Sequence, residues 1–192
     1  MTASFSSTTT SSSGASSATL TLAAASTAAA GTSTITITGH AGSVTAGATL
    51  SLTVTAGTGS VVATPLVAAN GGFFDEDDLK LTNSAPLTSL SVTIVVNRIG
   101  GVSFSGQYNT VGGQIVQSSS SSASAITYQF TLAPGQTLAP GSGRIFAAQM
   151  SGSGSIHPTG TDGFSVTYTI GGVTFTQSGS FPEVIPIPSP TP

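Results

Sequence analysis

The chain is predicted to be all-β, an antiparallel β-sandwich architecture built as two modules in tandem. Three observations carry this prediction. Apolar residues recur at every second position almost throughout, as in Thr34-Ile35-Thr36-Ile37-Thr38 and Leu50-Ser51-Leu52-Thr53-Val54-Thr55. The intervening positions are filled by Thr and Ser, which suit an extended backbone and stay hydrated without charge. Gly- and Ser-rich stretches interrupt the alternation where turns belong, and no segment shows a capped helical period.

Taken in order, residues 1–56 form the first module. Strands are predicted at Ala18–Ala23, Thr34–Thr38 and Leu50–Thr55, with turn chemistry at Ser11–Gly14, Ala30-Gly31 and Gly39–Gly47. Ala23–Ala30 is the one helical rival, and its Ser, its Thr and the following Gly31 read better as a connection between strands. Residues 57–60, Gly-Thr-Gly-Ser, form a short linker. Residues 61–181 make the larger module, with strands at Val61–Val67, Leu79–Asn83, Leu90–Val96, Val102–Phe104, Ile126–Leu132, Arg144–Ala148, Phe164–Ile170 and Val173–Gln177. The last two, joined by Gly171-Gly172, give the clearest hairpin signal. Ser118–Ser122 reads as a flexible loop, and residues 182–192, rich in Pro, as an extended polyproline II tail.

Charge is scarce: three basic and six acidic residues among 192, where an ordinary soluble domain devotes roughly a quarter of its residues to charge. With only Lys80, Arg98 and Arg144 there is no basic surface for a phosphate backbone, so a nucleic-acid partner is not expected. No run approaches the ~18 apolar residues of a membrane span, so membrane insertion is not expected either. The absence of Cys removes disulfides, thiolate metal sites and a Cys nucleophile. A surface of Thr, Ser, Gly and Ala is that of an extracellular or cell-surface β-protein. Met1–Phe5 has neither the basic nor the apolar region of a signal peptide, so the chain reads as a fragment.

Two resemblances follow from particular stretches. Thr2–Ser6, Ala18–Leu22 and Gly31–Gly39 resemble the later strands of a bacterial immunoglobulin-like repeat whose earlier strands are missing. Leu79–Ser84 followed by Leu87–Val92, together with Leu132–Gly141, resemble β-sandwich modules of the cellulose-binding type carried by secreted bacterial hydrolases. The resemblances imply an immunoglobulin-like or jelly-roll-like sandwich and a polysaccharide partner. The expected row of Trp or Tyr is lacking, because the chain has no Trp and only Tyr108, Tyr128 and Tyr168.

The acidic run Asp75-Glu76-Asp77-Asp78 is the most conspicuous polar feature. Clustered carboxylates repel one another unless solvent or a cation screens them, and oxygen-only ligands suit Ca²⁺. Asp75, Asp77 and Asp78 are therefore metal-ligand candidates, with Asp162 of Gly160-Thr161-Asp162-Gly163 as a further ligand from another loop. In a strand, Asp75 and Asp77 would share one side and Glu76 and Asp78 the other. The plainer expectation is a solvated loop, or a charged guard beside an exposed strand.

Catalysis has little support. Serine chemistry needs a base held by a third group; the chain offers His40 and His157, with no Gly-x-Ser-x-Gly elbow. Glycoside hydrolysis needs two carboxylates at a set gap, which a contiguous run plus a distant Glu183 does not suggest. The sequence is not expected to be an enzyme. Phe73 and Phe74 after Asn70-Gly71-Gly72, and Tyr108 between Gln107 and Asn109, are the carbohydrate-binding candidates: rings to stack on a sugar, amides to bond its hydroxyls. The expected function is that of a non-catalytic extracellular module that binds polysaccharide or acts as a spacer. The alternative is a filament or surface-layer subunit, assembled from copies of itself by β-strand complementation.

Overall fold

A computed structural model describes residues 2–6, 17–23, 30–55 and 58–184. It is almost wholly β, in antiparallel sheets. Residues 61–180 supply nine strands: β5 (Val61–Asn70), β6 (Phe74–Asn83), β7 (Ser89–Asn97), β8 (Ser103–Asn109), β9 (Ile115–Ser121), β10 (Ala125–Leu132), β11 (Gly141–Ser151), β12 (Gly163–Ile170) and β13 (Val173–Ser180). They form a five-stranded sheet, β13-β12-β7-β10-β9, and a four-stranded sheet, β5-β6-β11-β8. The apolar inner faces of the two sheets share one core, the arrangement that covers both without exposing either. Leu90, Val92, Ile94 and Val96 of β7 alternate inward with Ile126, Tyr128 and Phe130 of β10. Leu79 and Leu81 of β6 and Phe146, Ala148 and Met150 of β11 face them from the other sheet. Phe130 meets Phe146 edge to face at 5.4 Å.

The hairpin at Gly171-Gly172 forms as expected, with φ of 55° and 81° at the two glycines. Only residues tolerant of positive φ fit such a two-residue turn, which matches the twist of its strands. The expected broad turn at Gly39–Gly47 is much tighter. β3 (Gly31–Ala41) and β4 (Val44–Val54) run through both ends of it and turn at Gly42, φ 58°. Ser118–Ser122 is not a loop: residues to Ser121 belong to β9, whose ladder with β10 runs from Leu132↔Ile115 to Ile126↔Ser121. An edge strand exposed on both sides needs no apolar alternation, so its composition resembles a loop.

The N-terminal strands are of another kind. β1 (Thr2–Phe5) pairs with β2 (Leu20–Ala23), and β3 with β4. An apolar groove of about 200 Å³ is lined by Ala3, Phe5, Leu20, Ile35 and Ile37. None of the described residues up to Ser60 is buried. Of the expected linker, Ser60 is held to Ser84, accepting from its N–H and donating its own N–H to the Ser84 hydroxyl at 2.8 Å. Phe181 is buried, and Pro182 and Val184 both bond the Thr159 hydroxyl. The polyproline expectation for 185–192 lies outside the described residues.

Candidate functional site

The acidic run is neither a solvated loop nor a guard on an edge. It opens β6, an interior strand between β5 and β11, and alternation sends its carboxylates to opposite faces. Asp75 and Asp77 point into the sandwich and are wholly buried. The loop before β12 brings His157 and Asp162, also wholly buried, to the same end of the core. His157 Nε2 lies 2.6 Å from Asp162 Oδ2, and Nδ1 lies 2.9 Å from the Ile99 carbonyl oxygen. Both ring nitrogens therefore face acceptors, an arrangement satisfied when both donate, as in the imidazolium form. Burial alone would lower the His157 pKa, but the bond to Asp162 and its charge, with help from Ile99 and Asp77, raise it.

The other Asp162 oxygen, Oδ1, accepts from Asn97 N–H at 2.8 Å, so each oxygen holds one donor and keeps a lone pair. No hydrogen bond of good geometry reaches either oxygen of Asp75 or Asp77 among the described residues, although the Gly71 N–H lies near enough to Asp75 to favour its charge. Burial pushes Asp77 up to about 8, reinforced by the Asp162 charge and by a proton shared with that carboxylate, against the opposing pull of His157. Burial also raises Asp75, again opposed by His157. Protonation is thus the way this end of the core limits its negative charge.

On the outer face of the four-stranded sheet, Glu76 Oε1 accepts from the Tyr108 hydroxyl at 3.0 Å, and its Oε2 accepts from Gln149 Nε2 at 2.7 Å. Asp78 lies in register with Ala147, and Ala147 with Tyr108, which places these three in one row of that face. Asp78 is 4 % exposed; burial and then Glu76 push it up to about 6, while Lys80 opposes. The Tyr108 phenol is pushed up to about 12 by burial, by its bond to Glu76 and by the charges of Asp78 and Glu76, so it donates at any ordinary pH. Its ring is still 37 % exposed, and Phe74 and Leu66 are exposed on the same face.

The expected sugar-binding set is only partly assembled. Gln107 and Asn109 are in register with the inward Ala148 and Phe146, so they lie across the sheet from the Tyr108 ring. The Gln107 amide lies against the Ser118 backbone and, with its oxygen and nitrogen assigned to suit these partners, accepts from the Ser118 N–H and donates to its carbonyl at 3.2 Å. Asn109 Oδ1 accepts from Val111 and Gly112 N–H, closing the turn after β8. Phe73 is 77 % exposed on a turn tied to the 152–154 loop, where a Cβ at Gly152 would collide with the Gly72 carbonyl oxygen. Tyr128 and Tyr168 are buried. Glu76 and Gln149, in the neighbouring row of the same face, anchor the Tyr108 hydroxyl and were not among the expected site residues. The alternation of β6 alone could have pointed to Glu76.

Of the expected calcium ligands, Asp75, Asp77 and Asp162 meet at one end of the core, but Asp78 does not join them and the set falls short of a coordination shell. Asp78 faces away from Asp75 and Asp77, and each oxygen of Asp162 is already held by a donor, Asn97 N–H or His157. What remains beside a cationic His157 is far short of the six to eight oxygens Ca²⁺ takes. Among the described residues no three His, Asp or Glu side chains are placed to hold a metal ion. Comparison of the chain with protein-family models and with curated proteins finds no match.

Proposed function

We propose that this chain is a non-catalytic extracellular module that binds polysaccharide on the outer face of its four-stranded sheet. One observation carries the reading: Tyr108 presents an exposed ring whose hydroxyl is fixed on Glu76, and Glu76 is itself fixed by Gln149. A ring held in one orientation, amid carboxyl and amide groups that bond hydroxyls, is the chemistry that stacks on a sugar and orients it. The charge-poor surface and the sandwich resemblance support an extracellular setting and a carbohydrate partner. A non-catalytic role is supported by His157, which has no nitrogen free to take a proton, and by His40, whose one side-chain partner among the described residues is the Thr45 hydroxyl. The test is depletion of the protein from solution by insoluble glucan and chitin. Tyr108→Ala is expected to abolish depletion while leaving the melting curve in place. Unchanged depletion in that variant would sink the reading.

A second reading is favoured by the N-terminal strands. Ile35, Ile37, Leu52 and Val54 alternate along β3 and β4, yet none of them is buried. In a filament or surface-layer subunit, a strand from a neighbouring copy would complete that half-covered layer. Regular polymers in electron micrographs at micromolar protein would support it.

A further inference from the structure

The two sheets of the sandwich have four free edges, β5, β8, β9 and β13, and three of them are protected against pairing. Pro65 withholds a donor in the middle of β5, and a register shift between Val67 and Ala69 bends that strand further. β8 is broken by the shift opposite Gln149 and Met150. β9 is capped by the Gln107 amide, which occupies both backbone groups of Ser118. β13 has none of these devices. Its eight residues pair with β12 without a shift, from Gly163↔Ser180 to Ile170↔Val173. Residues 163–180 contain no charge and no Pro.

Position adds to this. Val173 and Phe175 belong to the inward side of β13, as the register of Phe175 with buried Tyr168 shows, but they are 42 % and 43 % exposed. Near that end Gln177 reaches the opposite sheet, donating to the Val61 carbonyl at 2.8 Å. β13 therefore overhangs the four-stranded sheet with apolar side chains uncovered beside an open backbone edge. Counting from the two-residue turn, Thr174, Thr176 and Ser178 direct their N–H and C=O groups to that free side. Among the described residues no backbone group pairs with them.

We propose that the free edge of β13 is a homodimer interface, where two copies of this chain pair antiparallel about a two-fold axis at Phe175. The occupant is a second copy because the edge is self-complementary. In that register Thr174 of each copy lies opposite Thr176 of the other, and no like charges meet. Phe175 of each copy faces its equivalent in a close, non-hydrogen-bonded pair, extending the stack that Phe175 already makes on Tyr168 at 5.4 Å. The two five-stranded sheets then become one continuous sheet, and Val173 and Phe175 lose their exposure.

Light scattering and sedimentation of the full chain over a dilution series test the proposal. The expected result is a dimer that dissociates on dilution. Thr176→Pro, which removes an outward donor without touching the β12 ladder, and Thr176→Lys are both expected to be monomers with unchanged far-ultraviolet circular dichroism. Because the chain has no Cys, Phe175→Cys supplies a third arm that does not depend on tolerance of Pro. It is expected to form a disulfide-linked dimer under mild oxidation, while Val62→Cys on the protected β5 edge is not. A wild-type chain still monomeric at about 100 μM, weaker than any useful interface, would overturn the proposal. Dimers persisting in both Thr176 variants, or equal cross-linking of Val62→Cys, would overturn the choice of edge. Open polymers in place of dimers would overturn the two-fold register.

Discussion

The two faces of β6 receive the same kind of side chain and treat it in opposite ways. Inward, Asp75 and Asp77 are deprived of water and of donors, and the nearest counter-charge comes from His157, in a loop eighty residues on. Outward, Glu76 keeps its two acceptors by taking one bond from Tyr108 and one from Gln149. The difference is one of partners more than of burial, since Asp78 on the outer face is almost as buried as its inward neighbours. A run of four acids can thus be divided by the pleat of a strand into a structural half and a candidate ligand-facing half. Two of the three Lys and Arg side chains take no part: Arg98 and Arg144 bond backbone carbonyls at Val102, Ser122 and Ala139. Among the described residues the one ion pair is His157–Asp162.

Removing the counter-charge breaks the inner half outright. His157→Ala leaves Asp162 buried without its cation beside Asp75 and Asp77, so a loss of about 3–5 kcal/mol is expected in urea unfolding. His157→Ala should leave the outer face intact at low denaturant, so polysaccharide depletion below the unfolding transition should be unchanged. A loss below about 1 kcal/mol would mean that the pair is solvated, as surface pairs are.

The inner half also sets an unusual pH dependence. Asp77 is raised from 3.8 to about 8, so between those values the folded protein keeps a proton that the unfolded chain has released. Its contribution is complete at acid pH and is lost as pH rises through that window. His157, raised from 6.5, has the same sign: its contribution is present below 6.5 and lost as pH rises through the folded value. The melting temperature should therefore fall from about pH 5 to about pH 9. Asp77→Asn keeps a donor toward Asp162 but cannot ionise, and should flatten that fall. At about pH 9 it should melt higher than wild type by at least about 2–4 °C, the shift that 1 kcal/mol gives in a chain of this size. A wild-type curve that instead rises between these pH values would refute proton sharing at Asp77.

On the outer half, Tyr108→Ala and Tyr108→Phe separate the ring from its anchor. Loss of the ring should weaken polysaccharide binding by about tenfold or more, whereas loss of the hydroxyl alone frees Glu76 and should cost only about two- to fivefold. Equal losses in the two variants would make the Glu76 bond, not stacking, the source of affinity.

Much of the fold was legible because period-two alternation survives in nearly every strand of the sandwich, from Leu90–Val96 to Phe164–Ile170. Where structure and expectation differ there is one cause: in these segments composition does not report exposure. Asp75 and Asp77 read as loop residues because burying a carboxylate is costly, and what makes it tolerable is non-local. His157 arrives with the loop before β12, and nothing near Asp77 in the chain announces it. The serines of β9 read as a loop because its backbone ladder with β10 leaves no mark on exposed side chains. Within the candidate site, alternation could place Tyr108 apart from Gln107 and Asn109, but the union of Tyr108, Glu76 and Gln149 depends on strand order in the sheet, which local sequence does not encode.

The smallest effect expected is none at all, and it discriminates as sharply as the larger ones. Chelation should leave the melting temperature unchanged, because the inner carboxylates are balanced by protons and by His157 and, among the described residues, no set of ligands surrounds a single point. A bound cation would reverse the pH behaviour as well. Ca²⁺ held by ionised Asp75 and Asp77 would draw their pKa values down, so stability would rise with pH over the window where proton sharing makes it fall. Melting curves at about pH 5 and about pH 9, each with chelator and with added Ca²⁺, therefore separate the two accounts by sign. A chelator-sensitive melting temperature that rises with pH would assign the inner face of β6 to a metal, and Asp77→Asn would then destabilise at high pH where it is expected to stabilise.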